Sequence, residues 1–384
     1  MRLKIARWLY LVILILPPAA YGQKLIFNLN NQVSTWGTIN FSEPVKYQFG
    51  GRYIPTVTIS DSLKNNRKVD AEFSLNTYGN AYFTSDNYDT AYGKIKPYRF
   101  WIRYSTPRFE VRLGLQKINF GSASMLRPLM WFDKIDIRDP LQLTDGVYGI
   151  LSRYYFQNNT NIWLWMLYGN DMPMGWDPVP SVKNMPEFGG RLQQPVPAGE
   201  IALSYHHRNA DFSEWLDTIP NITQTQFPDD KIGLDGKWDV GVGLWFEYSL
   251  KHNDPDNMIT HEWETYFNLG LDYTFLLGNG LNVITEYFRY KSKTELNARG
   301  SNNTYSALSL NYPFGLSNSL KAIVYYNWEP KTWSRFISLQ RSYDYWSFYF
   351  MAFWNPETYS PTSFAKERSL YAGKGLQVMT VVNF

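Results

Sequence analysis

Apolar and polar residues alternate with period two along most of this chain. In Glu262–Phe275, Trp263, Thr265, Phe267, Leu269, Leu271, Tyr273 and Phe275 share one face, while Glu262, Glu264, Asn268, Gly270, Asp272 and Thr274 share the other. Upstream, Trp238, Val240, Val242, Leu244, Phe246 and Tyr248 alternate with Lys237, Asp239, Gly241, Gly243, Trp245 and Glu247. A β-strand sends successive side chains to opposite faces, so this pattern predicts strands with one apolar and one polar face. Reading the whole chain this way predicts about 16 strands, with 14 and 18 as alternatives. They fall at 28–40, 45–60, 67–83, 95–105, 108–118, 147–157, 160–169, 198–208, 232–250, 260–276, 280–292, 303–313, 316–329, 332–342, 345–355 and 374–384.

A soluble β-sandwich alternates too, and three further features separate the two. Several apolar faces begin and end in Trp, Tyr or Phe, as the aromatic girdles of a membrane barrel require. The strands are about nine residues or longer, which suits a tilted bilayer crossing. The last strand runs to the terminus, where Leu376, Val378, Thr380, Val382 and Phe384 share one face. Pairing that strand with the first leaves no open edge in lipid. The predicted connections alternate in length as well. Short ones fall at 105–108, 157–160, 277–280, 314–317 and 343–345, and long ones at 84–94, 119–146, 170–197, 251–259 and 356–373. The stretch 209–231 breaks that parity: it is long where a short turn is expected, and its Trp215, Leu216, Ile219 and Pro220 suit a segment packing back on the barrel.

Composition narrows the reading. Aromatic residues make up 18% of the chain, with 29 Tyr and 15 Trp, yet mean hydropathy is −0.37. Many amphipathic rings without long apolar runs suit a barrel with a polar lumen. The one short apolar run, Trp8–Leu16, follows Arg2, Lys4 and Arg7 and precedes Ala20-Tyr21-Gly22, so residues 1–22 read as a secretory signal peptide. Residues 23–384 then form a single barrel domain, with no plug domain ahead of it. The leader carries three of the 37 basic residues, which leaves 34 against 34 acidic ones. A neutral chain gives no footprint for nucleic acid. With no cysteine, disulfides, thiolate metal sites and thiol catalysis drop out.

The third outward loop by strand parity, 119–146, reads NFGSASMLRPLMWFDKIDIRDPLQLTDG. Its Arg127, Asp133, Lys134, Asp136, Arg138 and Asp139 lie among Leu129, Met130, Trp131 and Phe132. A surface loop has little use for so many large apolar residues. A loop folded into the lumen does, with rings against the wall and charges toward a pore; the plainer alternative is a loop packed over the mouth. Strand pleat points Arg52, Arg99, Arg103, Glu110 and Arg112 inward, with Asp70 and Glu72 nearby. Charges on a narrow low-dielectric wall can set selectivity, or they can simply pair across strands. The large inward residues Trp101, Trp245, Tyr349 and Phe353 are compatible with a filled lumen. In 170–197, Met172, Met174, Trp176 and Phe188 could stack on a sugar, although a simple loop cover explains them better.

These features resemble bacterial outer-membrane porins, in which a third loop folds inward and a terminal aromatic residue, here Phe384, is read by the barrel-insertion machinery. More locally, LGLQKINFGS followed by RPLMWFDKIDIRDP resembles the GxQ-x-x-x-x-G…DxxDP pattern of alginate-export-type and related porins, with Phe120 where that pattern has Trp. The resemblance implies an all-β, antiparallel up-and-down transmembrane barrel in the outer membrane of a Gram-negative-type bacterium. It implies passage of sugars, anionic nutrients or other small polar solutes, outer-membrane lipid as surroundings, a homotrimer as one assembly, and no cofactor.

Enzymatic motifs are weak. There is no G-x-S-x-G elbow or phosphate-cradling glycine loop. His206 with inward Ser204 and Glu200 is the one arrangement worth naming, and His261 beside Glu262 and Glu264 makes a poor metal set because the faces differ. The sequence thus predicts a passive channel, not an enzyme, with 119–146 as its constriction. The alternative is a non-conducting barrel acting as a surface adhesin or as a polysaccharide export or assembly partner.

Overall fold

The computed structural model describes residues 25–84, 88–213, 225–253, 262–293, 300–356 and 371–384. The predicted leader 1–22, the residues Trp215–Pro220 and His261 lie outside them. The described chain forms 18 antiparallel strands in chain order: β1 (Ile26–Asn40), β2 (Lys46–Leu63), β3 (Arg67–Thr84), β4 (Tyr88–Ser105), β5 (Phe109–Gln116), β6 (Val147–Tyr155), β7 (Asn161–Leu167), β8 (Glu187–Val196), β9 (Gly199–Asp211), β10 (Gln226–Asp239), β11 (Gly243–Asn253), β12 (Trp263–Phe275), β13 (Leu281–Lys293), β14 (Ser301–Pro313), β15 (Asn318–Asn327), β16 (Thr332–Ser342), β17 (Trp346–Trp354) and β18 (Lys374–Asn383). Each strand pairs with its neighbour in sequence, and β1 pairs with β18 from Gln32↔Asn383 to Asn40↔Gly375, which closes the barrel. Backbone hydrogen bonds in both directions between Asn31 and Phe384 complete that seam.

Eighteen strands is one of the alternatives to 16, and the two additional ones have clear causes. β8 lies inside the segment 170–197 that alternation reads as loop. Its sequence, EFGGRLQQPV, has two Gly and a Pro, which blur the pattern. The segment 232–250 is a hairpin, not one strand. Its turn, 240–242, pairs Asp239 with Gly243, so residues of equal parity face each other and the outward row Ile232, Leu234, Gly236, Trp238 continues unbroken into Leu244, Phe246, Tyr248 and Leu250. Only the chain reversal at Gly241, with φ +88°, distinguishes the two readings. Counting both strands restores the parity: even-numbered joints span two to five residues, and 209–231 resolves into the ends of β9 and β10 with an odd-numbered joint between them.

The outer surface of the barrel carries Phe100, Leu113, Leu164, Leu203, Leu269, Ile337 and Phe350, all exposed, as lipid-facing positions require. Part of the inner surface is packed. There the β5–β6 loop, 117–146, and the β7–β8 loop, 168–186, enter the barrel. Met125, Leu126, Met130 and Trp176 from these loops pack with Tyr266, Phe288, Tyr305, Ile323, Tyr325, Phe336 and Phe353 from β12 to β17. A second cluster joins Phe120, Leu129, Trp131 and Phe132 to Leu151, Trp165 and Leu167 of β6 and β7.

Candidate functional site

Loop 117–146 leaves β5 and crosses to the far wall because its backbone finds acceptors there. Segment 123–126 exposes consecutive N–H groups, which would be costly to bury alone. Glu286 on β13 accepts from the N–H of Ser124 at 2.6 Å, Met125 at 3.1 Å and Leu126 at 2.8 Å. Glu247 on β11 accepts from Ala123 at 2.7 Å and Leu129 at 3.1 Å. Asn268 on β12 donates to the Leu126 carbonyl at 2.7 Å and to Glu286 at 3.0 Å. Gly121, at φ +94°, lies so close to the Glu247 carboxylate that a Cβ would collide with it. Trp131 adds a bond from Nε1 to Ser249 Oγ at 3.1 Å, and Lys321 on β15 donates to the Ile137 carbonyl at 3.2 Å. The loop is therefore pinned at both ends of its path across the lumen.

The charged residues of the loop divide into two groups. Arg127 and Asp133 are buried and bonded to each other at 2.7 Å, with Arg127 also donating to the Asn119 side chain and the Phe120 carbonyl. They brace the loop from inside. Arg138 is likewise buried, bonded to Asp136 at 2.6 Å and seated 5.2 Å from the Tyr371 ring centroid. Burial opposes its charge, but Asp136 outweighs this and holds the guanidinium above its usual range. Lys134 is exposed. Asp139 accepts N–H bonds from Leu141 and Leu143; burial pushes its carboxyl up, while these donors and Arg52 across from it pull it down less strongly. Lys96 on β4 bonds Asp145 at 2.7 Å and ties down the end of the loop.

All five predicted wall residues stand on one arc, β2 to β5, facing the loop. Arg103 bonds Asp70 at 2.5 Å and Glu110 at 3.3 Å; Glu110 also meets Arg112 at 3.4 Å and Arg153, on β6, at 3.6 Å. Arg112 lies over the Trp101 ring and Arg153 over Trp163, at 4.6 and 3.8 Å from the centroids. Arg99 donates to the Thr144 carbonyl at 3.1 Å, linking wall to loop. Arg52 sits between the rings of Trp36 and Tyr78, 5.6 and 5.3 Å away. Part of this charge pairs across strands, then, and Arg52 and Arg99 are the members held by rings and carbonyls instead.

Several residues that matter here escape sequence reasoning. Glu247 has an inward position by alternation, but its partners are loop N–H groups that no pattern announces. The Asp177 contacts with β9, β10 and β11 are equally hidden, because Asp177 sits in a Pro-rich segment that reads as a cover. In the candidate nucleophile set, Ser204 accepts from Arg191, His206 meets Trp165 and Glu187, and Glu200 accepts from Gln193. Of the proposed metal set, Glu264 pairs with Lys251 and Glu262 with His252.

No family model matches this chain, and no curated protein is similar to it in sequence. Solved structures do match along nearly its whole length. The anion-selective porin from Comamonas acidovorans is 14% identical with a TM-score of 0.51, covering 94% of this chain and 100% of that one. OccAB4 of Acinetobacter baumannii is 8% identical with a TM-score of 0.56, covering 94% and 98%. OccK7 of Pseudomonas aeruginosa is 9% identical with a TM-score of 0.56, covering 95% and 99%. At these identities the likeness is one of fold: the chain has the fold of the bacterial outer-membrane porins.

Proposed function

We propose that this protein is an outer-membrane channel for passive diffusion of small polar solutes, running between loop 117–146 and the arc β2 to β6. The observation that carries this reading is the asymmetry of the lumen. Inward residues opposite the arc, such as Glu247, Asn268, Tyr305, Ile323 and Tyr325, are buried beneath the loop. Arg52, Thr58, Glu72, Trp101, Arg103, Arg112 and Arg153 on the arc are only half-buried. A polar half-lumen walled by arginines and rings suits sugars and anionic nutrients. In this reading Asp136 and Asp139 form the loop side of the constriction, while Arg127, Asp133 and Arg138 hold it in shape. A homotrimer surrounded by outer-membrane lipid accompanies the reading.

Planar-bilayer recordings of the purified protein test it: discrete conductance steps are expected, and silence at several voltages overturns it. Deleting 129–139 should enlarge the steps, and unchanged steps remove the loop from the constriction. A non-conducting barrel, acting as adhesin or export partner, is favoured by one feature, the filling of the β12–β17 side by Phe288, Tyr325 and Phe353. Silent bilayers with an intact barrel would support it.

A further inference from the structure

One outward row of the barrel surface carries cations where other strands carry apolar side chains. On β16 to β18 the register sets Arg335 beside Trp354 and Trp354 beside Lys374, so the three stand in a line across adjacent strands. Alternation turns all three outward, and all three are exposed. At the corresponding end of β1 to β4 the outward rows carry Ile39, Phe49 and Ile95 and no cation.

Neither cation meets a carboxylate among the described residues, and rings hold both instead. The Arg335 guanidinium lies 5.6 Å from the Trp333 ring centroid and 5.4 Å from that of Trp354, and Lys374 Nζ lies 4.8 Å from the Trp354 centroid. Such contacts position a cation without neutralising it. Arg289, an outward cation on β13, is satisfied differently. It donates to Asn302 at 2.8 Å, and Asn302 donates to Glu329 at 3.0 Å. Arg335 and Lys374 are thus a local pair of charges, without a described counter-ion, on a face built for lipid.

The depth of this row follows from the aromatic girdles. Trp346 and Trp354 cap the nine residues of β17. Such a strand spans about 26 Å, and its tilt reduces that to about 20 Å across the bilayer. The apolar band of a membrane barrel is about 25 Å tall, so the two indoles mark its two interfaces. Trp354 stands at the end of β17 that carries the long connection 355–373, whereas Trp346 follows the short turn 343–345. Long connections face outward in such barrels, which places Arg335, Trp354 and Lys374 at the outer leaflet. Toward the bilayer centre, Ile337, Leu339, Phe350, Leu376 and Val378 form an exposed apolar bed.

We propose that Arg335 and Lys374, held on the Trp333 and Trp354 rings, form a docking site for an outer-leaflet lipid whose headgroup carries two phosphates. Arginine offers a planar fork matched to phosphate oxygens, and lysine a compact charge. Two strand spacings separate them, about 10 Å, so each can take its own phosphate while acyl chains lie on the apolar bed. A neutral head would leave both charges without a partner at the edge of the lipid, and a free anion would leave the bed unused. The inference rests on the outer-membrane setting of the barrel, not on conduction. Silent bilayers would leave it standing, and loss of lipid binding would leave the channel reading standing.

Native mass spectrometry of the detergent-solubilised full chain, titrated with diphosphoryl lipid A, tests the proposal. A saturable adduct is expected, and its absence overturns the site. R335Q/K374Q should weaken the adduct about 25-fold, roughly five-fold for each cation at an anionic lipid surface. Unchanged affinity in that variant is contrary to the proposal. R289Q removes an outward charge away from the row and should leave the affinity as it is; a loss equal to that of R335Q/K374Q would reduce the effect to net charge and sink the site. Lipid A stripped of both phosphates should bind as weakly to the wild type as the diphosphoryl form binds to R335Q/K374Q. Equal binding of the two lipids by the wild type would assign the adduct to acyl chains and overturn the phosphate match. Inorganic phosphate should fail to displace the lipid, and complete displacement would make this a free-anion site, against the proposal. Should the double variant fail to fold, K374Q alone changes one exposed position and should weaken the adduct about five-fold, and no change contradicts the idea.

Discussion

Removing the Glu286 side chain should undock loop 117–146 without unfolding the barrel. In E286A, three loop N–H groups, from Ser124, Met125 and Leu126, lose their acceptor in a buried place. An unsatisfied buried donor costs about 1–3 kcal/mol, so the docked loop would lose roughly 3–9 kcal/mol before water relieves it. Holding the segment in place are the side chains of Met125 and Leu126, each stabilising by about 1.5–3 kcal/mol on burial. The two contributions are of the same size, so the segment loses its seat, while the strand ladders do not depend on Glu286. Taking the low end, a shift of about 3 kcal/mol raises the undocked population about 100-fold. An M125C reporter measures this directly, because Met125 is 5% exposed when docked. Maleimide labelling of M125C/E286A should be about 100-fold faster than that of M125C. Far-UV circular dichroism should show unchanged strand content, and channel steps should become larger or noisier. E286Q, which retains one acceptor oxygen, should fall between the two. If E286A labels within about threefold of its parent, a shift below about 0.7 kcal/mol, then the carboxylate does not hold the loop.

Other perturbations bear on other parts of the arrangement. R52A should lower the anion-to-cation permeability ratio more than R103A, because Asp70 and Glu110 already offset Arg103; equal reversal-potential shifts in a KCl gradient would refute this. Gly175 has φ +55°, and a Cβ there would run into the Met130 carbonyl oxygen, so G175V should push 168–186 off the inner loop and speed labelling of V179C; an unchanged rate contradicts the close approach. Asp177 should stabilise the fold with a definite pH dependence. Its folded pKa is depressed by Arg208, Lys231 and Lys251, so its contribution is complete above the ordinary value of 3.8 and is lost as pH falls through the lower folded value. The difference in thermal stability between wild type and D177N should therefore be flat from neutral pH to about 4 and shrink only in stronger acid. A gap that closes between pH 7 and 5 would mean that another group is responsible.

The barrel was legible in the sequence because lipid imposes a rule on every outward residue. Phe267, Leu269 and Leu271 had to share a face, and the unbroken row ending at Phe384 had to meet another strand. Strand number was less legible for a geometric reason. The β10–β11 turn preserves side-chain parity, so Trp238 and Leu244 read as one face whether or not the chain reverses between them. β8 was hidden differently: with Gly189 and Gly190 on adjacent faces, only Phe188 and Leu192 mark its outer side. Connection length held the information that alternation lacked, since 209–231 was anomalous only under the count of 16.

The lumen was legible in direction but not in pairing. Alternation places Arg103, Glu110 and Arg112 inward, yet whether each charge reaches a solute depends on what faces it. That is settled by barrel register and by the path of the loop. Cross-strand neighbours such as Asp70↔Arg103 and Arg103↔Arg112 follow from register alone. Arg127 and Asp133 show the opposite case: six residues apart in a loop rich in apolar residues, they are bonded inside it, where a charge needs a partner in order to be buried at all. The same constraint explains why the loop chose Glu247 and Glu286. A buried carboxylate needs N–H donors, and a loop crossing a lumen needs acceptors for its N–H groups. Each deficit is met by the other, which fixes the loop against the β11–β13 side.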